Sequence, residues 1–156
     1  LVVIGTGEEK YEWFLRGLQE RFGRQVSVNL CFSADLANLV YAASDLYLMP
    51  SKSEPCGLSQ LMAMRFGAVP VVNATGGLKD TVPAYEGPES EGRGFTFQSY
   101  NADDFLAAID RALALYYDAP AQWQELVRHD MSQDFGWDKG AEHYMALYHK
   151  ALGDKA

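Results

Sequence analysis

Short apolar runs alternate with amphipathic segments along the chain, which is the pattern of a parallel α/β fold. The apolar runs are aliphatic or β-branched, and Gly, Pro, Ser or Asp flanks them. They predict strands at about 1–4, 26–31, 45–49, 69–73 and 94–97. The other segments predict helices at about 8–22, 34–43, 57–66, 77–82, 101–117, 119–132 and 138–152.

Local signals support several of these helices. The helix over 8–22 carries Tyr11, Phe14, Leu15, Leu18 and Phe22 on one stripe, at the i, i+3, i+4, i+7 spacing of an amphipathic helix. The segment 101–104 reads as an N-cap asparagine followed by acids in the first turn. The proline of segment 119–132 suits the first turn of the next helix.

The order of these elements predicts one α/β domain over residues 1–156, with a Rossmann-like doubly wound parallel sheet and additional C-terminal helices. In such sheets, ligands bind outside the carboxyl ends of the strands. We therefore expect a site among the loops after residues 4, 31, 49 and 73. Residues 84–93 read as a polar surface loop.

Composition narrows the function classes. Apolar residues make up 48% and charged residues 22% of the chain, which favours a packed core. The net charge of −8 argues against nucleic acid or an anionic membrane as the main partner. Cys31 and Cys56 show no disulfide-framework spacing, the sequence contains no membrane-length apolar run, and we expect no signal peptide. We expect a cytoplasmic protein, and a chain that opens directly on a strand is typical of a piece of a larger one.

The segment 46–64 carries the candidate chemistry. A strand runs into a loop that contains Glu54 and Gly57 and then into the start of a helix. The amides of Gly57, Leu58 and Ser59 lack helical partners there, so a diphosphate is the ligand they suit. Glu54 repels phosphate and suits sugar hydroxyls instead. On spacing alone, a strand–turn–helix with an incidental glutamate remains an equal alternative.

Three blocks in this order carry a family resemblance. Residues 51–60 read Ser-Lys-Ser-Glu-Pro-Cys-Gly-Leu-Ser-Gln, residues 75–82 read Thr-Gly-Gly-Leu-Lys-Asp-Thr-Val, and residues 131–137 read Met-Ser-Gln-Asp-Phe-Gly-Trp. Each resembles a segment of the glycogen and starch synthases, with similar separations. The resemblance extends from about residue 1 to about residue 150.

The resemblance implies a GT-B glycosyltransferase, which has two Rossmann-like domains and an active site between them. This chain resembles the C-terminal domain, which would hold ADP-glucose or ADP, while the absent N-terminal domain would bind the α-1,4-glucan acceptor. The family transfers glucose to the non-reducing end with retention, and it implies no divalent metal and no cofactor. We expect the chain alone to have little or no activity.

The resemblance also implies residue roles. Glu54 would be the catalytic residue that bonds hydroxyls of the transferred glucose. Phe32 would pack on the adenine, although a core aromatic at a strand end is the alternative. The other substrate-binding residues would line the glucose and phosphate pocket, largely through backbone groups. They are Ser51, Lys52, Cys56, Gly57, Leu58, Ser59, Thr75, Gly76 and Gly77. Met62 stands where the wider superfamily often has a ribose-binding Glu, which leaves ribose recognition unassigned.

Two other readings remain open. A UDP-sugar transferase of the sucrose or trehalose type would more often carry Glu at position 62 and lack Pro-Cys-Gly. A non-catalytic flavodoxin-like or receiver module would need acids at the carboxyl ends of strands, whereas Asp45 lies at a strand start.

The remaining candidate residues favour structural roles. Segment 5–7 reads as a tight turn between strand and helix. The three histidines lack a metal-ligand pattern and are expected on the surface, and four late aromatic residues are expected to pack between the C-terminal helices. These residues are His129, His143 and His149, and Trp123, Trp137, Tyr144 and Tyr148.

Overall fold

The computed structural model describes residues 1–153, apart from the side chain of residue 139. The strands are β1 (Val2–Ile4), β2 (Ser27–Asn29), β3 (Leu46–Met49), β4 (Val69–Asn73) and β5 (Phe95–Phe97). The helices are α1 (Glu9–Phe22), α2 (Ala34–Ala43), α3 (Ser59–Phe66), α4 (Gly76–Thr81), α5 (Ala102–Asp118), α6 (Pro120–Ser132) and α7 (Trp137–Leu152). The predicted α/β class and the predicted order of elements are confirmed. Residues 154–156 of the predicted domain lie outside the described residues.

The strands form two parallel sheets. β1 pairs with β2, with Val3 opposite Val28. The second sheet has the order β3-β4-β5, so β4 is its central strand. Every residue of β4 is buried, as expected for a strand with neighbours on both sides and helices on both faces. Within residues 1–153, β1 and β3 each keep one edge that pairs with no other strand.

Two apolar clusters form the core, one on each face of β4. Val69 and Val71 face a cluster that includes Phe95, Trp123 and Leu126, supplied by β5 and α6. Val72 points to the opposite face and joins Met64, Leu78 and Val82. Successive side chains of a strand alternate between faces, so β4 serves both clusters. This packing holds the loops after β3 and β4 at one edge of the sheet.

The predicted caps are confirmed. The Asn101 side chain accepts a hydrogen bond from the Asp104 amide at 2.8 Å and begins α5. Pro120 is the first residue of α6, where its missing N–H leaves no helical bond unmade. α3 ends at Gly67, whose φ of 91° is a left-handed conformation that suits glycine.

The late aromatic residues divide into two groups. Trp123 is buried and meets Tyr116 edge to face at 5.2 Å, which confirms its packing role. The same prediction is wrong for Trp137, Tyr144 and Tyr148, because all three are largely exposed and Trp137 keeps 83% of its surface in solvent. They lie on α7, whose apolar face is uncovered by the described residues. The stripe on α1 is only partly covered, since its aromatic residues are exposed while Leu15 and Leu18 are half-buried.

The loop over 84–93 is mostly exposed, as predicted, but its last side chain turns inward. The guanidinium of Arg93 lies near Phe135, with 5.7 Å to the ring centre, and its Nε is buried without a partner in the described part of the chain. Asp130, on α6, is buried nearby, and neither of its carboxylate oxygens accepts a hydrogen bond there. Sequence analysis did not foresee that Arg93 and Asp130 lie near each other, because the two residues are far apart in the chain.

No helix within residues 1–153 combines the length and the apolar character required to cross a lipid bilayer.

Asp130 predicts a pH dependence of stability. Burial raises the pKa of its carboxyl to about 8, although the charge of Arg93 acts in the opposite direction. Between the ordinary pKa of 3.8 and about 8, the folded chain keeps a proton that the unfolded chain has released, so this residue makes stability fall as pH rises. Asp130→Asn removes the titration, and we expect its Tm to exceed that of the wild type by several degrees at pH 8 but by much less at pH 5.

Calorimetric melting at both pH values checks this expectation. Asp110→Asn, an exposed change on α5, is the matched control and should show no such divergence. A Tm difference for Asp130→Asn that is equal at pH 5 and pH 8 would contradict the assignment.

Candidate functional site

The loops that follow β3 and β4 are tied together beyond the carboxyl ends of these strands. Asn73, buried at the end of β4, donates a side-chain hydrogen bond to the Ser51 carbonyl at 2.9 Å. The Gly77 amide, in the first turn of α4, donates to the Glu54 carbonyl at 3.0 Å. The two loops expected to form the site therefore lie together.

The start of α4 packs backbone to backbone against the loop after β3. A Cβ at Gly76 would collide with the Glu54 carbonyl oxygen, and a Cβ at Gly77 would collide with that of Cys56. Gly76 also has a φ of 47°, in the left-handed region. The Gly-Gly pair is therefore required by the close approach of two main chains.

Unpaired main-chain amides lie at the start of α3. Leu58 is the N-cap residue and offers no side-chain cap, and Gly57 adopts a φ of 76°. The amides of Gly57, Leu58 and Ser59 donate to no acceptor within residues 1–153. α3 begins at Ser59 rather than at the predicted 57, so Gly57 belongs to the loop. This is the set of free donors that the sequence predicted.

The side chain of Glu54, which belongs to the loop that leads to these amides, stays free. Its residue is half-buried, and its carboxylate makes no hydrogen bond or ion pair with the described part of the chain. Lys52 and Cys56 are exposed, and the Ser59 hydroxyl donates to the Met49 sulfur at 3.4 Å. The carboxylate of Glu54 is therefore available as an acceptor in the loop that leads to the free donors.

The second predicted set of amides is mostly engaged within the protein. Thr75 donates its amide to the Asn73 carbonyl at 2.8 Å, and the Gly77 amide is used by Glu54. Of these three residues, Gly76 alone keeps an amide without an acceptor in residues 1–153. The segment 75–77 therefore acts mainly by supporting the loop that carries Glu54.

The structure also places three other positions from the sequence analysis, which are Phe32, segment 5–7 and Met62. Phe32 is 97% exposed, which excludes the alternative of a core aromatic and leaves its ring free to stack on a ligand. The prediction of a tight turn at segment 5–7 is wrong, because residues 5–8 form an irregular connection in which the Gly7 amide donates to Glu12 Oε1 at 2.9 Å. Met62 is partly exposed on α3, and ribose recognition stays unassigned.

The histidines form no metal centre in the described part of the chain. His143 and His149 are exposed, as predicted, while His129 is half-buried with Nδ1 at 4.0 Å from Asp130 Oδ1. Within residues 1–153, no three His, Cys, Asp or Glu side chains are grouped to hold a metal ion.

Sequence reasoning missed two polar residues that support the loop. Gln60 is fully buried in α3, and its Nε2 donates to the Thr81 hydroxyl at 3.1 Å. The available signal was a glutamine directly before the apolar run 61–64, since a polar residue at a core position requires bonding partners. Its partner on α4, Thr81, could not be identified, because that residue lies 21 positions further along the chain.

A family model described as "Glycosyl transferases group 1" matches residues 1–130. The chain belongs to this family. Group 1 membership rules out the flavodoxin-like or receiver alternative, and it accounts for the position of the candidate site at the carboxyl ends of parallel strands.

Sequence relatives confirm the resemblance to glycogen synthases. A glycogen synthase of Kosmotoga olearia is 48% identical over 151 residues, which are 97% of this chain and 32% of the relative. One from Clostridium botulinum, strain Alaska E43, is 48% identical over 148 residues, 95% of this chain and 31% of that protein. The chain thus spans about a third of the length of these group 1 relatives.

Solved structures of related enzymes share the fold. The catalytic domain of starch synthase IV from Arabidopsis thaliana, bound to ADP and acarbose, matches with a TM-score of 0.84 and 34% identity over 96% of this chain and 31% of that one. Sucrose-phosphate synthase from Thermosynechococcus elongatus matches with a TM-score of 0.67 and 24% identity over 99% of this chain and 39% of that one. The GT-B class predicted from the sequence is confirmed.

The packing of Gly77 generates a stability prediction. Gly77→Ala places a methyl group against the Cys56 carbonyl and separates the Gly77 amide from Glu54, so we expect a loss of about 1–3 kcal/mol of unfolding free energy. Urea unfolding measures it. Gly17→Ala on α1 is the control, since its Cβ would meet open space and a helical Ala is favoured by about 0.5–1 kcal/mol. A Gly77→Ala variant as stable as the wild type would refute the close packing.

Proposed function

We propose that this chain is the nucleotide-sugar-binding part of a retaining glucosyltransferase that adds glucose from ADP-glucose to the non-reducing end of α-1,4-glucan. The observation that carries the proposal is that one loop carries the unpaired carboxylate of Glu54 and leads to the free amides of Gly57, Leu58 and Ser59. One loop thus offers donors suited to a diphosphate and an acceptor suited to a hexose.

The amides suit a diphosphate for two reasons. Amides at a helix start have no helical acceptor, so a phosphate oxygen replaces water without breaking a protein bond. The helix dipole adds a preference for negative charge of about 0.3–1 kcal/mol at an exposed site. ADP would then extend toward Phe32, whose exposed ring offers a face for the adenine.

Glu54 would accept hydrogen bonds from the glucose hydroxyls. It is the only carboxylate in the segment 46–64, and the segment 73–79 contains none. These loops therefore lack the second carboxylate that a double-displacement mechanism uses.

In the front-face reaction we propose, the bond from C1 to the diphosphate breaks as the bond from C1 to the glucan oxygen forms. The departing phosphate takes the hydroxyl proton, and the free amides stabilise its charge.

We propose that the remainder of the enzyme supplies the acceptor-binding domain. The relatives are about three times as long as this chain, which leaves room for a second domain. The exposed aromatic residues of α1 and α7 are surfaces that such a domain could cover. We also propose a cytoplasmic location, to which the two free cysteines are suited.

Titration of the chain with nucleotides tests the donor assignment. We expect weak binding of ADP and ADP-glucose, weaker binding of UDP and none of FMN, by isothermal titration calorimetry. Tighter binding of UDP than of ADP would favour the UDP-sugar alternative, for which a sucrose-phosphate synthase is a structural neighbour. Binding of no nucleotide at all would overturn the proposal.

A chimera tests the missing domain. We expect negligible glucan synthesis by the chain alone, and synthesis when it replaces the matching 151 residues of the Kosmotoga olearia protein. Turnover by the chain alone at the rate of the chimera would contradict the two-domain assignment.

Substitution of Glu54 tests the sugar contact. Glu54→Gln in the chimera keeps the shape but removes the charge, so we expect turnover to fall by about 10- to 100-fold, as for loss of a hydrogen bond to a charged group. ADP affinity should not fall, because ADP carries no glucose and the substitution removes a negative charge that repels phosphate. Glu89→Gln, an exposed change in the loop 84–93, is the control. Undiminished turnover of Glu54→Gln would remove Glu54 from the reaction.

A further inference from the structure

Gln60 bonds to the two peptide groups that carry the free amides. It is fully buried in the first turn of α3. Its Nε2 lies 3.2 Å from the Cys56 carbonyl oxygen and 2.9 Å from that of Gly57. Both partners are acceptors only, so the nitrogen of the side-chain amide must face them.

The direction of these two carbonyls fixes the direction of the amide N–H groups in the same peptides. The peptide that contains the Cys56 carbonyl also contains the Gly57 N–H, and the next peptide joins the Gly57 carbonyl to the Leu58 N–H. Since the peptide is planar and trans, its N–H points opposite to its C=O. When Gln60 draws both carbonyls inward, the N–H groups of Gly57 and Leu58 must point away from the core.

The same nitrogen connects the loop to α4. Nε2 donates to the Thr81 hydroxyl at 3.1 Å, and that hydroxyl donates to the Gly77 carbonyl at 2.6 Å. Gly77 in turn donates its amide to the Glu54 carbonyl at 3.0 Å. Together these hydrogen bonds form a ring that passes through Gln60, Thr81 and Gly77. The ring contacts the loop at the Glu54 carbonyl and again at the carbonyls of Cys56 and Gly57.

Two further observations show how closely the site is adapted to this glutamine. Gly57 has a φ of 76°, and a Cβ there would lie 2.5 Å from Gln60 Oε1, so the loop backbone leaves space only for the side-chain amide. Oε1 itself is buried and has no partner within the described residues. An unpaired buried acceptor opposes stability, which indicates that the residue serves the loop more than the core.

We propose that Gln60, held by Thr81, is a positioning residue that directs the amides of Gly57 and Leu58 toward the diphosphate. This inference rests on the proposed function of the loop. This positioning role differs from a general structural role because loss of Gln60 should weaken only the binding of the diphosphate. Adenosine, which has no phosphate, should bind equally well whether or not Gln60 is present.

Titrations of the 156-residue chain with ADP and with adenosine, followed by NMR, test the inference. Gln60→Met keeps the length of the side chain but removes the donor, and we expect ADP affinity to fall by about tenfold, as for one lost hydrogen bond to a charged group. Adenosine affinity should not change. Gln124→Met, the same substitution at an exposed position on α6, is the control.

Thr81 supplies a second test that does not depend on the folding of Gln60→Met. Thr81→Val removes the hydroxyl and should weaken ADP binding several-fold, while Thr81→Ser should restore most of that loss. Because both residues act through one ring, the double variant Gln60→Met/Thr81→Val should lose about as much affinity as Gln60→Met alone, rather than the product of the two losses.

The possible outcomes separate the two proposals. A wild-type chain that binds no ADP overturns the proposed function. A wild-type chain that binds ADP, with folded Gln60→Met and Thr81→Val variants that bind it equally well, overturns only the positioning role. Equal losses of ADP and adenosine affinity would also overturn it, since they indicate general damage to the domain.

Discussion

The candidate site depends on one main-chain contact, in which the start of α4 lies directly on the loop after β3. The Gly77 amide donates to the Glu54 carbonyl at 3.0 Å, and Gly76 and Gly77 leave no room for a side chain between the two segments. Because backbone atoms make this contact, the Glu54 carboxylate stays free. The contact also uses an amide that a ligand would otherwise reach, so the free donors are concentrated at the start of α3.

Buried polar side chains extend this contact into the core of a group 1 glycosyl transferase. Asn73 fastens the end of β4 to Ser51, and Gln60 joins the start of α3 to α4. Both lie among aliphatic residues, where a polar group is stable only when it is hydrogen-bonded. Their partners are main-chain oxygens of the loop. The interior of the sheet is thereby coupled to the conformation of the loop that faces the ligand.

The exposed apolar surfaces fit a chain that spans about a third of its relatives' length. α1 and α7 carry aromatic side chains that are exposed although their spacing is amphipathic. Amphipathic spacing shows that a helix has an apolar face, but not which partner covers it. This is why packing was predicted correctly for Trp123 and wrongly for Trp137, Tyr144 and Tyr148.

The sequence by itself determined the order of strands and helices, the caps of α5 and α6, and the loop that carries Glu54 and Gly57. These features depend on residues within a few positions of one another, where periodicity and local bonding decide the outcome. The tertiary structure decided that the Gly77 amide serves Glu54, that Gln60 meets Thr81, and that Arg93 turns inward near Asp130. Each of these depends on segments brought together by folding, and no local pattern records which buried donor meets which acceptor.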